Sequence, residues 1–210
     1  MENMHNLFIA IEGIDGSGKS TQVAALKDYL IQKDIPCYST FEPTNGPIGK
    51  MIRQIFAHQM EADQRTIAAL FVADRLEHLL NKNDGVCKML EQGHLVITDR
   101  YYFSSYAYHG THMDMDWVIQ ANSICADILR PHLTIYIDMD PEVSMQRLAA
   151  NRQHIEMYET FDNLKQVKAK YEEAFEKQKG KENIVKVDGN RPAHEVTEDI
   201  LKIVTDLLVL

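Results

Sequence analysis

Nine residues near the start of the chain, GIDGSGKST at 13–21, constrain its fold more than any others. They fit the phosphate-loop pattern GxxxxGK[ST] in full, from Gly13 through Gly18, Lys19 and Ser20. The context required by that pattern is present too. LFIAIEG (7–13) is a near-continuous apolar run, as in a strand buried on both faces, and Val23, Leu26 and Leu30 then stripe a helix. In such a loop the glycines turn successive N–H groups toward phosphate, and the helix N-terminus adds partial positive charge. Gly13, Ile14, Asp15, Gly16, Ser17, Gly18, Lys19, Ser20 and Thr21 are thus the candidate nucleotide-binding stretch, with Lys19 on the outer phosphates and Ser20 a candidate Mg²⁺ ligand. Asp15 has two readings, a turn-forming Asx side chain or a grip on a second substrate's hydroxyl.

The rest of the chain alternates strands and helices, the pattern of a parallel α/β sheet. Further strands are expected at 35–41, 94–99, 133–138 and 184–188, five in all. Helices are expected at 47–56, at 64–83, from Pro141, and in a last stretch striped by Val196, Ile200, Ile203, Val204 and Leu207. A single domain over 1–210 is predicted. Its polar segment 150–162, without clear periodicity, is a candidate mobile flap. A formal charge of −9 argues against nucleic-acid or anionic-membrane partners. Cys37, Cys87 and Cys125 form no CxxC pair and read as reduced thiols, and no apolar run is long enough to span a bilayer. A cytoplasmic protein is the expectation.

Two stretches speak to the phosphate acceptor. VITDRYYFSSYAYHG (96–110) puts Asp99 and Arg100 at the carboxyl end of a strand, where open α/β sheets bind ligands. Asp99 suits Mg²⁺ and Arg100 a phosphate; a structural ion pair is the plainer alternative. The serines and tyrosines that follow either pack a helix or line a pocket. In LFVADRLEHL (70–79), Phe71 and Arg75 stand at i and i+4, within reach of one ligand. Glu42, in FEPTNGPIG (41–49), is either a solvated loop acid or part of that site.

Taken together, IEGIDGSGKST, FEPTNGPIG, LFVADRLEH, DRYYFSSYAYHG, RPHLTIYID and the E…YE segment resemble the thymidylate kinases, a group of P-loop nucleoside-monophosphate kinases. The resemblance covers nearly the whole chain. It implies a P-loop NTPase-type five-stranded parallel sheet flanked by helices with a small lid, a homodimer, and the reaction of ATP with dTMP to give ADP and dTDP. It also implies roles. Asp15 approaches the acceptor sugar, Phe71 stacks on thymine, and Arg75 lies near the base and acceptor phosphate. Asp99 and Arg100 serve the metal and that phosphate. Ser104, Ser105 and Tyr108 contact base and deoxyribose, while Glu42 and Pro43 flank the acceptor.

Two departures stand out. His109 occupies a position usually held by glutamine, and no arginine stands inside the phosphate loop or between Arg152 and Lys165. Arg147 and Arg152 are therefore the candidate cations over adenine and the transferring phosphoryl group. Rival readings are a deoxynucleoside kinase, a kinase for another monophosphate, and a non-enzymatic nucleotide switch.

Overall fold

In a computed structural model, which describes residues 6–151 and 160–208, β1 (Phe8–Glu12) is the central strand, buried at every position. The other strands are β2 (Cys37–Phe41), β3 (Leu95–Asp99), β4 (Leu133–Asp138) and β5 (Ile184–Asp188). They form one parallel sheet in the order β2-β3-β1-β4-β5. The helices are α1 (Lys19–Gln32), α2 (Pro47–Phe56), α3 (Gln64–Leu80), α4 (Val86–Glu91), α5 (Tyr102–His109), α6 (Met115–Ala121), α7 (Ser123–Ile128), α8 (Pro141–Asn151), α9 (Phe161–Lys177) and α10 (Ala193–Leu208).

Alternation along each strand divides the core in two. Ile9 and Ile11 of β1, Leu95 and Ile97 of β3, and Leu133, Ile135 and Ile137 of β4 face one layer. There they meet Val23, Leu26 and Leu30 of α1 and Val196, Ile200, Val204 and Leu208 of α10. Phe8, Ala10, Val96 and Tyr136 face the other, against the aromatic side chains of α5 and α9. Both faces are covered, which is why the strands read as continuous apolar runs. From β1 the chain builds β2 and β3 on one flank and β4 and β5 on the other, so a crevice opens at the carboxyl end of β1. Register sets Ile11 beside Asp99 on one side and beside Ile135 on the other.

The expected strands and the helix at 47–56 match, the latter opened by Pro47. The helix expected over 64–83 stops at Leu80. Asn81 ends it: its side chain accepts from Asn83 N at 2.9 Å, an Asx turn that competes with further helical bonding. Of the candidate flap at 150–162, both described ends are helical, α8 running to Asn151 and α9 starting at Phe161 after an N-cap at Thr160. Residues 152–159, and with them Arg152, lie outside the described residues. No described helix is long and apolar enough to cross a membrane.

Candidate active site

The loop between β1 and α1 turns on backbone that only glycine adopts freely. Gly16 has φ 76°, and a Cβ there would lie 2.9 Å from the carbonyl oxygen and hydroxyl of Ser144 on α8. Gly18 caps α1 with φ 92° and no side-chain hydrogen bond, leaving the first helical N–H groups directed at the crevice. Lys19 is buried and its Nζ donates to the Ile14 carbonyl at 2.9 Å. Burial, reinforced by nearby Arg100, pushes its ammonium down to about 8. A bound polyanion would restore the full charge.

The loop faces a cavity of about 1070 Å³, lined by residues 15–21 together with Glu42, Asp99, Arg100, Arg147, Ala193 and Val196. Gly13 and Ile14 do not line it: Ile14 packs in the core and both contribute carbonyl oxygens behind the loop. Arg147 reaches it from α8, its Nη2 donating to the carbonyls of Gly189 and Arg191 at 3.1 and 3.2 Å. Ser20 Oγ donates to Asp99 Oδ2 at 2.5 Å. A hydroxyl and a carboxylate side by side next to Lys19 are the hard oxygen donors Mg²⁺ takes, so these residues fit that ion.

A second cavity of about 270 Å³ adjoins the first and shares Asp15, Phe41 and Arg100 with it. Its other walls are Pro43, Arg53, Phe56, Phe71, Ser104, Ser105, Tyr108 and His109. Phe71 forms an aromatic wall, its ring centroid 6.0 Å from Phe56 and 5.2 Å from His109. The Asp15 carboxylate crosses to pair with Arg100 and accepts from Tyr108 Oη at 2.8 Å. The Arg100 guanidinium also lies 5.0 Å from the centre of the Tyr108 ring. Arg100 itself has φ 73°, rare for a side-chain-bearing residue. That backbone is held by its N–H on the Ile11 carbonyl at 3.0 Å and by Thr98 Oγ1 on its own carbonyl at 2.9 Å. The strain sits where the two cavities meet.

His109 is 2% exposed, and its Nδ1 has no hydrogen-bond partner among the described residues. Burial, then the positive charge of Arg75, drives its imidazole down to about 3, so the ring is neutral.

Arg75 is turned away from the place the i, i+4 spacing suggested. It is fully buried behind the smaller cavity and lines neither. Nε and Nη2 bond Glu42 Oε2 at 2.9 and 2.6 Å, and Nη1 bonds Ser105 Oγ at 3.1 Å and Asn122 Oδ1. A buried guanidinium needs such partners, and Glu42 supplies the charge. Glu42 is thereby neither solvated nor free: burial would raise its carboxyl, but Arg75 and His78 outweigh that and hold it low. His78 Nδ1 lies 3.0 Å from its other oxygen.

Arg53, which carried no role in the sequence reading, lines the smaller cavity. It donates to the carbonyls of Pro43 and Thr44 at 2.7 and 2.5 Å. Its place within an amphipathic helix concealed it. Its position at the point where α2 runs back past the 43–45 turn is the signal that could have found it.

A family model for thymidylate kinase matches residues 11–200. A probable thymidylate kinase of Pyrobaculum calidifontis is 36% identical over 94% of this chain and 95% of its own. One of Staphylothermus marinus is 32% identical over the whole of both chains. A thymidylate kinase of Ligilactobacillus salivarius is 35% identical over 98% of this chain and 100% of its own.

Proposed function

The chain belongs to the thymidylate kinase family, and from that premise we propose that it transfers the terminal phosphoryl group of ATP to dTMP, giving dTDP and ADP. The observation that carries the reading is the pair of cavities meeting at Asp15 and Arg100. The larger one holds the phosphate loop and suits a nucleoside triphosphate. The smaller one has an aromatic wall, hydroxyls and two arginines, and suits a nucleoside monophosphate.

In this reading Lys19 and the amides of 16–20 take the donor phosphates, with Arg147 beside the donor nucleoside and Arg152 assigned to the transferring group. Arg100 and Arg53 receive the acceptor phosphate, and Phe71 stacks on the base. Ser105 and His109 offer hydrogen bonds to the acceptor, and Ser104 lines the wall beside them with its hydroxyl on Glu12 and Arg100. Arg75 acts behind them by fixing Ser105, while Glu42 and Pro43 shape the adjoining turn. Tyr108, tied to Asp15, closes the space a 2′-hydroxyl would need. Ser20 and Asp99 would hold Mg²⁺, which would neutralise charge on the donor phosphates.

A monophosphate is already mostly dianionic at neutral pH, its second pKa being about 6, and attacks without a general base. The protein's task is then alignment and charge neutralisation, with water kept from the donor. A nucleoside kinase would instead need a free carboxylate near the acceptor hydroxyl. Glu42, the acid of the turn that follows β2, has both oxygens engaged by Arg75 and His78. The same reading makes the protein a cytoplasmic homodimer without nucleic-acid or membrane partners, supported by the family resemblance, the charge of −9 and the free thiols.

A compound joining adenosine and thymidine through five phosphates tests the two-cavity architecture. By calorimetry it should bind one to one and be displaced by either ATP or dTMP. Displacement by only one of them would refute it.

A further inference from the structure

Glu12 ends β1, immediately before the phosphate loop, and is wholly buried. Four donors converge on it. The backbone N–H groups of Tyr101 and Ser104 reach Oε1 at 2.8 and 3.1 Å, and the hydroxyls of Ser104 and Tyr171 reach Oε2 at 2.6 and 2.9 Å. Three of the four belong to the turn that follows Arg100, and Ser104 Oγ in turn accepts from Arg100 Nη1 at 2.9 Å. The fourth comes from a different element altogether, α9.

Tyr171 is fully buried and lines neither cavity. Its hydroxyl also lies 3.4 Å from the Gly13 carbonyl, the oxygen that Arg100 Nη1 approaches at the same distance. Its ring packs against Tyr136 and Phe175, with centroids 4.9 and 5.9 Å away. Phenylalanine would serve that packing equally well. The hydroxyl is what reaches the loop, and a buried hydroxyl is costly unless bonded. The other helix beside the loop is tied to it as well, for Ser144 Oγ of α8 donates to the Asp15 carbonyl.

We propose that Tyr171 is a positioning residue for phosphoryl transfer: through Glu12 it holds Arg100 and the first turn of the phosphate loop in one alignment. The placement of α9 thereby sets how the acceptor phosphate faces the donor. This rests on the reading of Arg100 as the acceptor-phosphate ligand. In-line transfer is sensitive to sub-ångström displacement of the reactants, whereas binding each nucleotide separately is not.

Tyr171→Phe removes one oxygen and keeps the ring. Steady-state dTDP formation, both KM values, and the melting-temperature rise on adding Mg·ATP are measured beside the wild type. The expected result is a kcat lowered about tenfold, with both KM values within about twofold and the Mg·ATP shift unchanged. Combination with Ser104→Ala should cost less in kcat than the product of the single effects, because both hydroxyls act on the same oxygen. Should Tyr171→Phe not fold, Glu12→Gln is read for the same split. A kcat within about twofold of wild type overturns the proposal, and so does a kcat loss matched by loss of the Mg·ATP shift, which marks a merely structural role. In both cases the wild type still makes dTDP. A wild type that makes none overturns the functional reading and this inference with it.

Discussion

Replacing His109 by glutamine changes the pH dependence of stability by an amount that follows from the site. A histidine in an unfolded chain titrates near about 6.5. In the folded protein, burial and then Arg75 hold His109 at about 3. The folded chain thus refuses a proton that the unfolded chain accepts. The stability carried by the neutral ring is complete above about pH 6.5 and is lost as pH falls from there toward 3. At pH 5, about 1.5 units below the unfolded value and at about 1.4 kcal/mol per unit, the loss is about 2 kcal/mol. Glutamine keeps a planar polar side chain and does not titrate. For a chain of 210 residues each kcal/mol moves the melting temperature by about 2–4 °C. Wild type should therefore lose roughly 4–8 °C more than His109→Gln between pH 7.5 and pH 5. Thermal melts of both proteins at the two pH values measure this, since His112 and the carboxylates titrate in both and cancel. Equal losses would refute the claim that His109 is buried neutral.

Three other substitutions separate the parts of the site. Lys19→Ala should lower turnover on the order of 10³-fold, because the proposed mechanism takes the donor phosphates on that charge; substantial residual rate in a coupled ADP assay would remove Lys19 from the mechanism. Phe71→Ala should raise the KM for dTMP by roughly ten- to a hundredfold, the worth of about 1–3 kcal/mol of base stacking, and leave the KM for ATP unchanged. Arg75→Ala strands a buried Glu42 carboxylate and should destabilise the fold by about 3–5 kcal/mol in chemical denaturation. A loss below about 1 kcal/mol would mean that the pair is not sequestered from water.

The parts of the fold legible from sequence are those where local chemistry leaves one solution. The phosphate loop needs glycine at the positive-φ positions Gly16 and Gly18, so its spacing announces it. The strands at 133–138 and 184–188 and the helix opened by Pro47 agree in bounds with the reading, because apolar runs and a proline mark their limits. The candidate site was less legible. Phe71 and Arg75 share a helical face, yet one lines a cavity and the other is buried behind it. The difference depends on Glu42, thirty-three residues away in sequence. Glu12 looks like an incidental acid at the end of an apolar strand until Tyr101, Ser104 and Tyr171 are folded onto it. Within α5, Tyr102 and Tyr106 go to the core while Ser104, Ser105, Tyr108 and His109 face the cavity. Periodicity allowed both a packed helix and a pocket wall, and the structure uses both.

The most direct test is product formation from Mg·ATP offered dTMP, dUMP, dCMP, dGMP, UMP and thymidine in parallel. A strong preference for dTMP with dTDP as product is the expected result. Phosphorylation of thymidine in place of dTMP, or no transfer to any acceptor while ATP still binds, would contradict it.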